Sequence, residues 1–526
     1  ANSVEIGGTT AGLASTLKIS GAADLTLGET AVADGGTVNA SEMTGALTTT
    51  LSANVDSFTG GAGDDVITVT VSELDANVTS RSVDLGAGTN TLKIADELTS
   101  LSASATDTVH TILNVDVIEQ SAAEDVDASI LAGAQHVKVE VATNGFGASA
   151  ADEVTLGAGD SLTVTDGIDA SYGLLLDLDD VSGDADDVAV TLSDMDQGKI
   201  ASAANIEEIS IVSSGSANAG NTITVLDASN SATVDLDGAA ALTLKALEIA
   251  QPTGGVGTID ASGMSGAFTL GATAADFKST DTDVLSVTLG TGTNNVYFGA
   301  TATDDDVVIA TAGSTDTVHI TEKDATASTI APTLSGVETL VVTAVAASTG
   351  DTALSAENFT DVGEIDIQVV TNASPGTNTV SEDFELTNIA ADQQINLLSG
   401  VDANTSPASF SLETLVLKAA TGVTNVDVTL EGSAGASYAS SASGTAGTLA
   451  VTTDAGSLGL TDAMLDANGD YADQHVLVGG VTNNLTSLTL TGGGETASTG
   501  VNNAITIDHS GSAISLTSVD ATGWNR

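Results

Sequence analysis

The feature that most constrains this chain is a hydrophobic rhythm of two that restarts along its whole length and almost never gives way to a helical one. DDVITVTV, VDLGAGTNTLKI, DVAVTLSD, NTITVLDA and SVTLGTGTNNVYFG all alternate apolar with polar side chains, and Gly, Asp, Asn or Ser brackets each run. Only short stretches around residues 354–359 and 462–466 read as helical. The design also repeats on a longer scale. Asn39-Ala-Ser-Glu-Met43-Thr-Gly-Ala-Leu47 returns as Asp260-Ala-Ser-Gly-Met264-Ser-Gly-Ala-Phe268, and a third copy opens at Asp520-Ala-Thr-Gly-Trp524. Between the first two copies, VDLGAGTNTLKI from Val83 matches VTLGTGTNNVYF from Val287, and TDTVHT from Thr106 matches TDTVHI from Thr315. Short coils of one design bury their apolar face only by stacking on one another. The expected fold is therefore all-β: an elongated β-solenoid of parallel β-roll or β-helix-like coils, roughly 20–25 residues each.

Composition agrees with a thin, repetitive core. There are only 8 Phe, 4 Tyr and 1 Trp in 526 residues, too few to fill a large globular interior. The formal net charge is −61, yet 41% of residues are hydrophobic, enough to offset the ordering entropy of a folded chain. Such a polyanion repels nucleic acid and anionic membrane surfaces, so neither is an expected partner. It attracts divalent cations. The absence of cysteine removes disulfides, zinc–thiolate sites and thiol chemistry. No apolar run approaches the length of a membrane span, and the opening ANSVEIGG has no basic or apolar leader pattern. The expected organisation is a first solenoid unit over 1–258, a second over 259–431, and a segment over 432–526 that begins with the small-residue stretch 432–447. A unit begun at Asp520 and left incomplete suggests a longer parent polypeptide.

One motif carries chemistry. Gly60-Gly61-Ala62-Gly63-Asp64-Asp65-Val66-Ile67-Thr68 fits the nonapeptide G-G-x-G-x-D-x-U-x at every defined position. Glycine allows the tight turn and offers carbonyls, Asp65 offers a hard carboxylate, and Ile67 plugs the core. Ca²⁺ accepts six to eight such oxygens. Related turns put Asp84, Gly86, Gly88 and Asn90, and later Asn294, at the corresponding places, while Asp160 follows Gly157-Ala-Gly159 one position early. Acidic pairs before Val recur at Asp152-Glu153, Asp186-Asp187 and Asp305-Asp306. The candidate calcium ligands are thus Gly61, Gly63, Asp65, Asp84, Gly86, Gly88, Asn90, Asp160, Asp187, Asn294 and Asp306. Asp65 is expected to bridge to the turn at 86–90, with Asp64 pointing to solvent. Residues 466–473 open like an EF-hand loop but lack its Gly and its closing Glu, and read as a solvated turn.

These residues together resemble the RTX-type S-layer proteins of Gram-negative bacteria, closest to the calcium-dependent, lattice-forming C-terminal part of the Caulobacter type. The resemblance rests on FTGGAGDDVITV, VDLGAGTNTLKI, the GVETL-type strand and the recurring DASGMSGA. It implies a secreted, calcium-stabilised solenoid at the cell surface that assembles with copies of itself into a two-dimensional sheet. It also implies contact with lipopolysaccharide or surface polysaccharide through a segment not present in this chain. A secreted RTX adhesin or biofilm-matrix fibre that binds glycans is the alternative. An enzyme is not expected. His110, His136, His319, His475 and His509 show no metal spacing, and no nucleophile elbow, P-loop or dinucleotide fingerprint occurs.

Overall fold

A computed structural model describes residues 2–4, 15–74, 81–94, 96–99, 111–120, 125–130, 138–141, 152–157, 159–165, 173–183, 186–215, 220–249, 256–271, 284–299, 301–311, 313–321, 330–345, 352–370, 382–398, 412–431, 449–462, 475–480, 485–492, 504–507 and 516–524. It is a β-solenoid. Every strand pairing among these residues is parallel, and each strand pairs with its counterpart in the next coil. The chain divides into two compact units, Ala1–Ala267 and Phe268–Arg526. The expected boundary at 258/259 would cut the strand Gly257–Met264; the stretch 432–447 lies outside the described residues.

In the first unit one long parallel sheet takes a strand from each coil, through Leu47–Leu51, Val66–Val69, Thr91–Ile94 and Val117–Gln120 and on to Gly257–Met264. A second wall is built first from the strands Thr16–Gly21 to Thr111–Leu113 and then from Val126–Asp127 to Leu247–Ile249. In the second unit the strands from Phe268–Leu270 to Ser518–Trp524 form the longest wall. The period-2 pattern explains the core directly. Alternate residues point inward, so Ile67, Leu92 and Ile118 lie in register on successive coils, and all three are fully buried. Each such side chain contributes about 1.5–3 kcal/mol of apolar burial.

Coil length varies more than the repeat suggests. Aligned residues are 18, 25 and 26 positions apart in the first unit; in the second they are 22 apart near Asn294 and 30 apart at Asp366 and Asn396. The long-range repeat has a structural counterpart. Gly36–Met43 and Gly257–Met264 are eight-residue strands with one and the same alternation of buried and exposed positions. Both carry an irregularity of register, as does Ser518–Trp524. At each, the Asn39, Asp260 or Asp520 side chain accepts the backbone N–H two residues on, at 2.9–3.0 Å. The DAS motif is therefore a built-in strand kink.

The helical reading at 354–359 is corrected. Thr352–Ser355 and Phe359–Thr360 are strands, and Leu354 is buried opposite Leu386 of the next coil. Stacking on a neighbouring strand outweighs a weak local preference. At 462–466, Asp462 ends the strand Ser457–Asp462 and the rest lies outside the described residues.

Candidate functional site

The nonapeptide sits at a coil corner, immediately before the strand Val66–Val69. Ile67 plugs the core as its pattern requires. Asp65 is completely buried, and its carboxylate is engaged on both sides. Oδ1 accepts the Leu47 N–H from the preceding coil and Oδ2 accepts the Gly61 N–H of its own turn, each at 2.8 Å. Burial pushes its pKa up, the two N–H groups oppose that shift, and neighbouring Asp64 adds to it.

Asp64 is exposed and Asp65 turns inward as expected, but the side-chain bond to the turn at 86–90 is made by the other member of the pair. The carboxylate of Asp65 faces back to the coil before it, while exposed Asp64 bonds the turn at 86–90 by accepting the Thr89 N–H at 2.8 Å. Asp65 meets that next turn only through its backbone, donating its N–H to Asn90 Oδ1 at 3.0 Å. Asn90 is fully buried, and its Nδ2 donates to the carbonyls of Gly86 and Asn114 at 3.3 and 3.1 Å. Asn294 repeats this: Oδ1 accepts the Phe268 N–H at 3.0 Å, and Nδ2 donates to the Gly290 and Gly292 carbonyls at 3.3 and 2.9 Å.

The glycines answer to crowding between coils. A Cβ on Gly63 would stand 2.5 Å from the Gly45 backbone, and one on Gly88 would stand 2.5 Å from the Gly63 carbonyl oxygen. Gly86 and Gly88 also have φ values of +86° and +110°, where a side chain is strained. Gly61 is held similarly against Met43, and its carbonyl accepts the Ala87 N–H at 2.8 Å.

The remaining candidates are dispersed. Asp84 Oδ1 accepts from the Gly86 N–H at 3.0 Å and from Asn114 Nδ2 at 2.6 Å. Asp160 closes its own turn by accepting the Gly157 N–H at 3.0 Å. Asp306 is buried and accepts from the Leu285 N–H of the preceding coil and the Thr303 N–H of its own turn, at 2.9 and 2.8 Å. In the pair Asp186-Asp187 it is Asp186 that closes the turn, onto Gly183, while Asp187 is exposed on the outer face. Among the described residues, no three or more carboxylate or imidazole side chains converge as a metal-binding group. At Asp65 the donor set does not fit a calcium cage. Its oxygens are aimed at backbone N–H groups, which an approaching cation would have to displace.

Reading the sequence for nonapeptides misses Asp116, Glu207, Asp316 and Glu338, which occupy the same corner position without the full run of glycines before them. Their signal is an acid just ahead of an alternating run. Of the outer row it singles out Asp187 alone. Asp187 lies beside Glu208 in register, and Asp235 lies beside Asp260. Glu208 and Asp235 have raised pKa values, from desolvation first and then from the carboxylates around them. Glu153 is raised in the same way, with Asp177 and Asp125 as the charged neighbours.

Of the histidines, His319 stacks on Tyr297 with ring centroids 3.9 Å apart and planes 12° from parallel. Burial pulls its pKa down to about 4, so it is neutral at pH 7. His110, its repeat counterpart, lies outside the described residues, as do His136, His509 and the EF-hand-like stretch 466–473. No protein-family model, curated protein or solved structure matches this chain.

Proposed function

We propose that this chain is a structural protein of the bacterial cell surface, secreted and assembled with copies of itself into a calcium-dependent two-dimensional layer. The observation that carries the reading is the placement of carboxylates on successive coils. Parallel stacking sets Asp187 against Glu208 and Asp235 against Asp260 on one outer face. With 71 acidic and 10 basic residues, repulsion of this kind cannot be answered within the chain. Divalent cations gathered along the outer rows lower that repulsion and allow acidic faces of neighbouring copies to meet. A parallel solenoid suits the task because in-register stacking repeats outward positions from coil to coil.

The reading is tested by titrating calcium into purified protein while circular dichroism and light scattering are recorded together. Scattering should rise cooperatively with calcium and collapse on chelation, with the β signal retained. Scattering that never rises would sink the proposal. Charge-neutral replacement of the row (Asp187→Asn with Glu208→Gln) should blunt or abolish the calcium response.

A further inference from the structure

We infer that the acidic position of the nonapeptide corner is a metal-independent staple between coils, one member of a ladder that needs a side-chain acceptor oxygen and not a cation. The register defines the position. Leu47, Asp65, Asn90 and Asp116 are aligned on four successive coils, each in line with the start of its strand. At every step the N–H of the earlier residue donates to the side-chain oxygen of the later one: Leu47 to Asp65 at 2.8 Å, Asp65 to Asn90 at 3.0 Å, and Asn90 to Asp116 at 2.8 Å.

The second unit repeats the arrangement independently. Phe268, Asn294, Asp316 and Glu338 are aligned, and the N–H groups of the first three donate forward to Asn294 Oδ1, Asp316 Oδ1 and Glu338 Oε2 at 3.0, 3.1 and 2.7 Å. Leu285 to Asp306 and Asp186 to Glu207 add two further steps with the same direction, at 2.9 and 3.0 Å. These corners have no strand hydrogen bond to offer the earlier N–H, and a buried N–H left unpaired is costly.

Chemical identity along the ladder is the telling point. Asp, Asn and Glu interchange at one position, while the direction and length of the bond stay constant. A calcium ligand set depends on charge, so replacing a carboxylate by an amide weakens it. An acceptor for one backbone N–H, as Asp116 is for Asn90, loses little by the same change; Asp65 accepts a second N–H from Gly61, toward which an amide N–H₂ would have to turn. The inference does not rest on the surface-layer reading, which invokes the outer rows and not these buried corners.

The experiment is thermal melting of the full chain carrying Asp65→Asn, Asp65→Ala, Asp116→Asn or Asp116→Ala, each in excess chelator and in millimolar calcium. The Ala variants should melt about 3–10 °C below the parent. Asp116→Asn should recover most of that loss and Asp65→Asn, which keeps the Leu47 bond but not the Gly61 one, only part of it, with the gaps equal in chelator and in calcium. Should Asp65→Ala fail to fold, the Asp116 pair carries the comparison. An Asp116→Asn chain that melts with its Ala counterpart would overturn the inference. So would an Asp65→Asn chain that loses a calcium-dependent rise in melting temperature shown by the parent. Loss of calcium response on neutralising Asp187 and Glu208, with the Asp65 variants unaffected, would support both readings separately.

Discussion

Asp64 and Asp65 are adjacent, of one chemical type, and opposite in surroundings. Exposed Asp64 holds the Thr89 N–H of the next coil, so Asp64→Ala should cost about 0.5–1 kcal/mol, measured as a modest fall in the denaturation midpoint. No effect at all would show that the bond is not formed in solution. His319 makes the opposite kind of contribution to the outer carboxylates. Its folded pKa of about 4 lies below the ordinary value of 6.5, so the stability it confers is present above pH 6.5 and is lost as pH falls through about 4. Replacing it with Gln, which carries no titrating charge, should flatten the acid limb of the stability curve there. An unchanged acid limb would count against the buried, stacked geometry. At this scale the sequence was a partial guide. The motif located the corner and the inward Ile67, because spacing alone sets them. It singled out Asp65 over Asp64 as the inward carboxylate but not the coil that Asp65 faces, since that follows from the alignment of Leu47 with Asp65 across a turn of 18 residues.

Among whole elements, two features of the coil stack lead to measurable consequences. The first is the glycine column. Gly63 has no room for a Cβ against Gly45, so Gly63→Ala should destabilise by about 1–3 kcal/mol. Gly363, whose Cβ would meet nothing within 4 Å, should accept Ala within about 0.5 kcal/mol. Equal losses at the two sites in chemical denaturation would refute the crowding argument. The second is the outer carboxylate row. Glu208, Asp235 and Glu153 all have folded pKa values above their ordinary ones. The folded state therefore binds protons more tightly than the unfolded one, and stability falls as pH rises through the folded values. Melting temperature at low salt should accordingly increase as pH is lowered toward the ordinary carboxylate range, and the increase should shrink in high salt. A monotonic loss of stability on acidification over that range would contradict it. Strands and their inward faces were legible because a period of two needs no tertiary information. Coil length was not, because a turn's excursion leaves no trace in the alternation. The stretch at 354–359 failed for the same reason: its environment is set by Leu386, in the coil that follows.

For the molecule as a whole, the balance lies between apolar stacks that hold coils together and a charge of −61 that drives acidic faces apart. The few described lysines in ion pairs each answer an acid on a neighbouring coil, as Lys93 does Glu119 at 2.6 Å and Lys18 does Glu42 at 2.5 Å. Such exposed pairs contribute little individually and leave the net field intact. The solenoid was foreseeable from repeats and composition; the separation of its acids was only half so, because outer acids such as Asp235 sit inside a strand where the alternation turns them outward, whereas the corner acids lie ahead of it, where the alternation is silent. That separation also divides the two proposals: corners that hold without metal, and faces that respond to it. Negative-stain electron microscopy of the purified chain tests the functional claim most directly. Extended two-dimensional sheets should form in millimolar calcium and disperse into separate particles when chelator is added. Particles that stay dispersed in calcium, or that join only into isolated fibres, would contradict it.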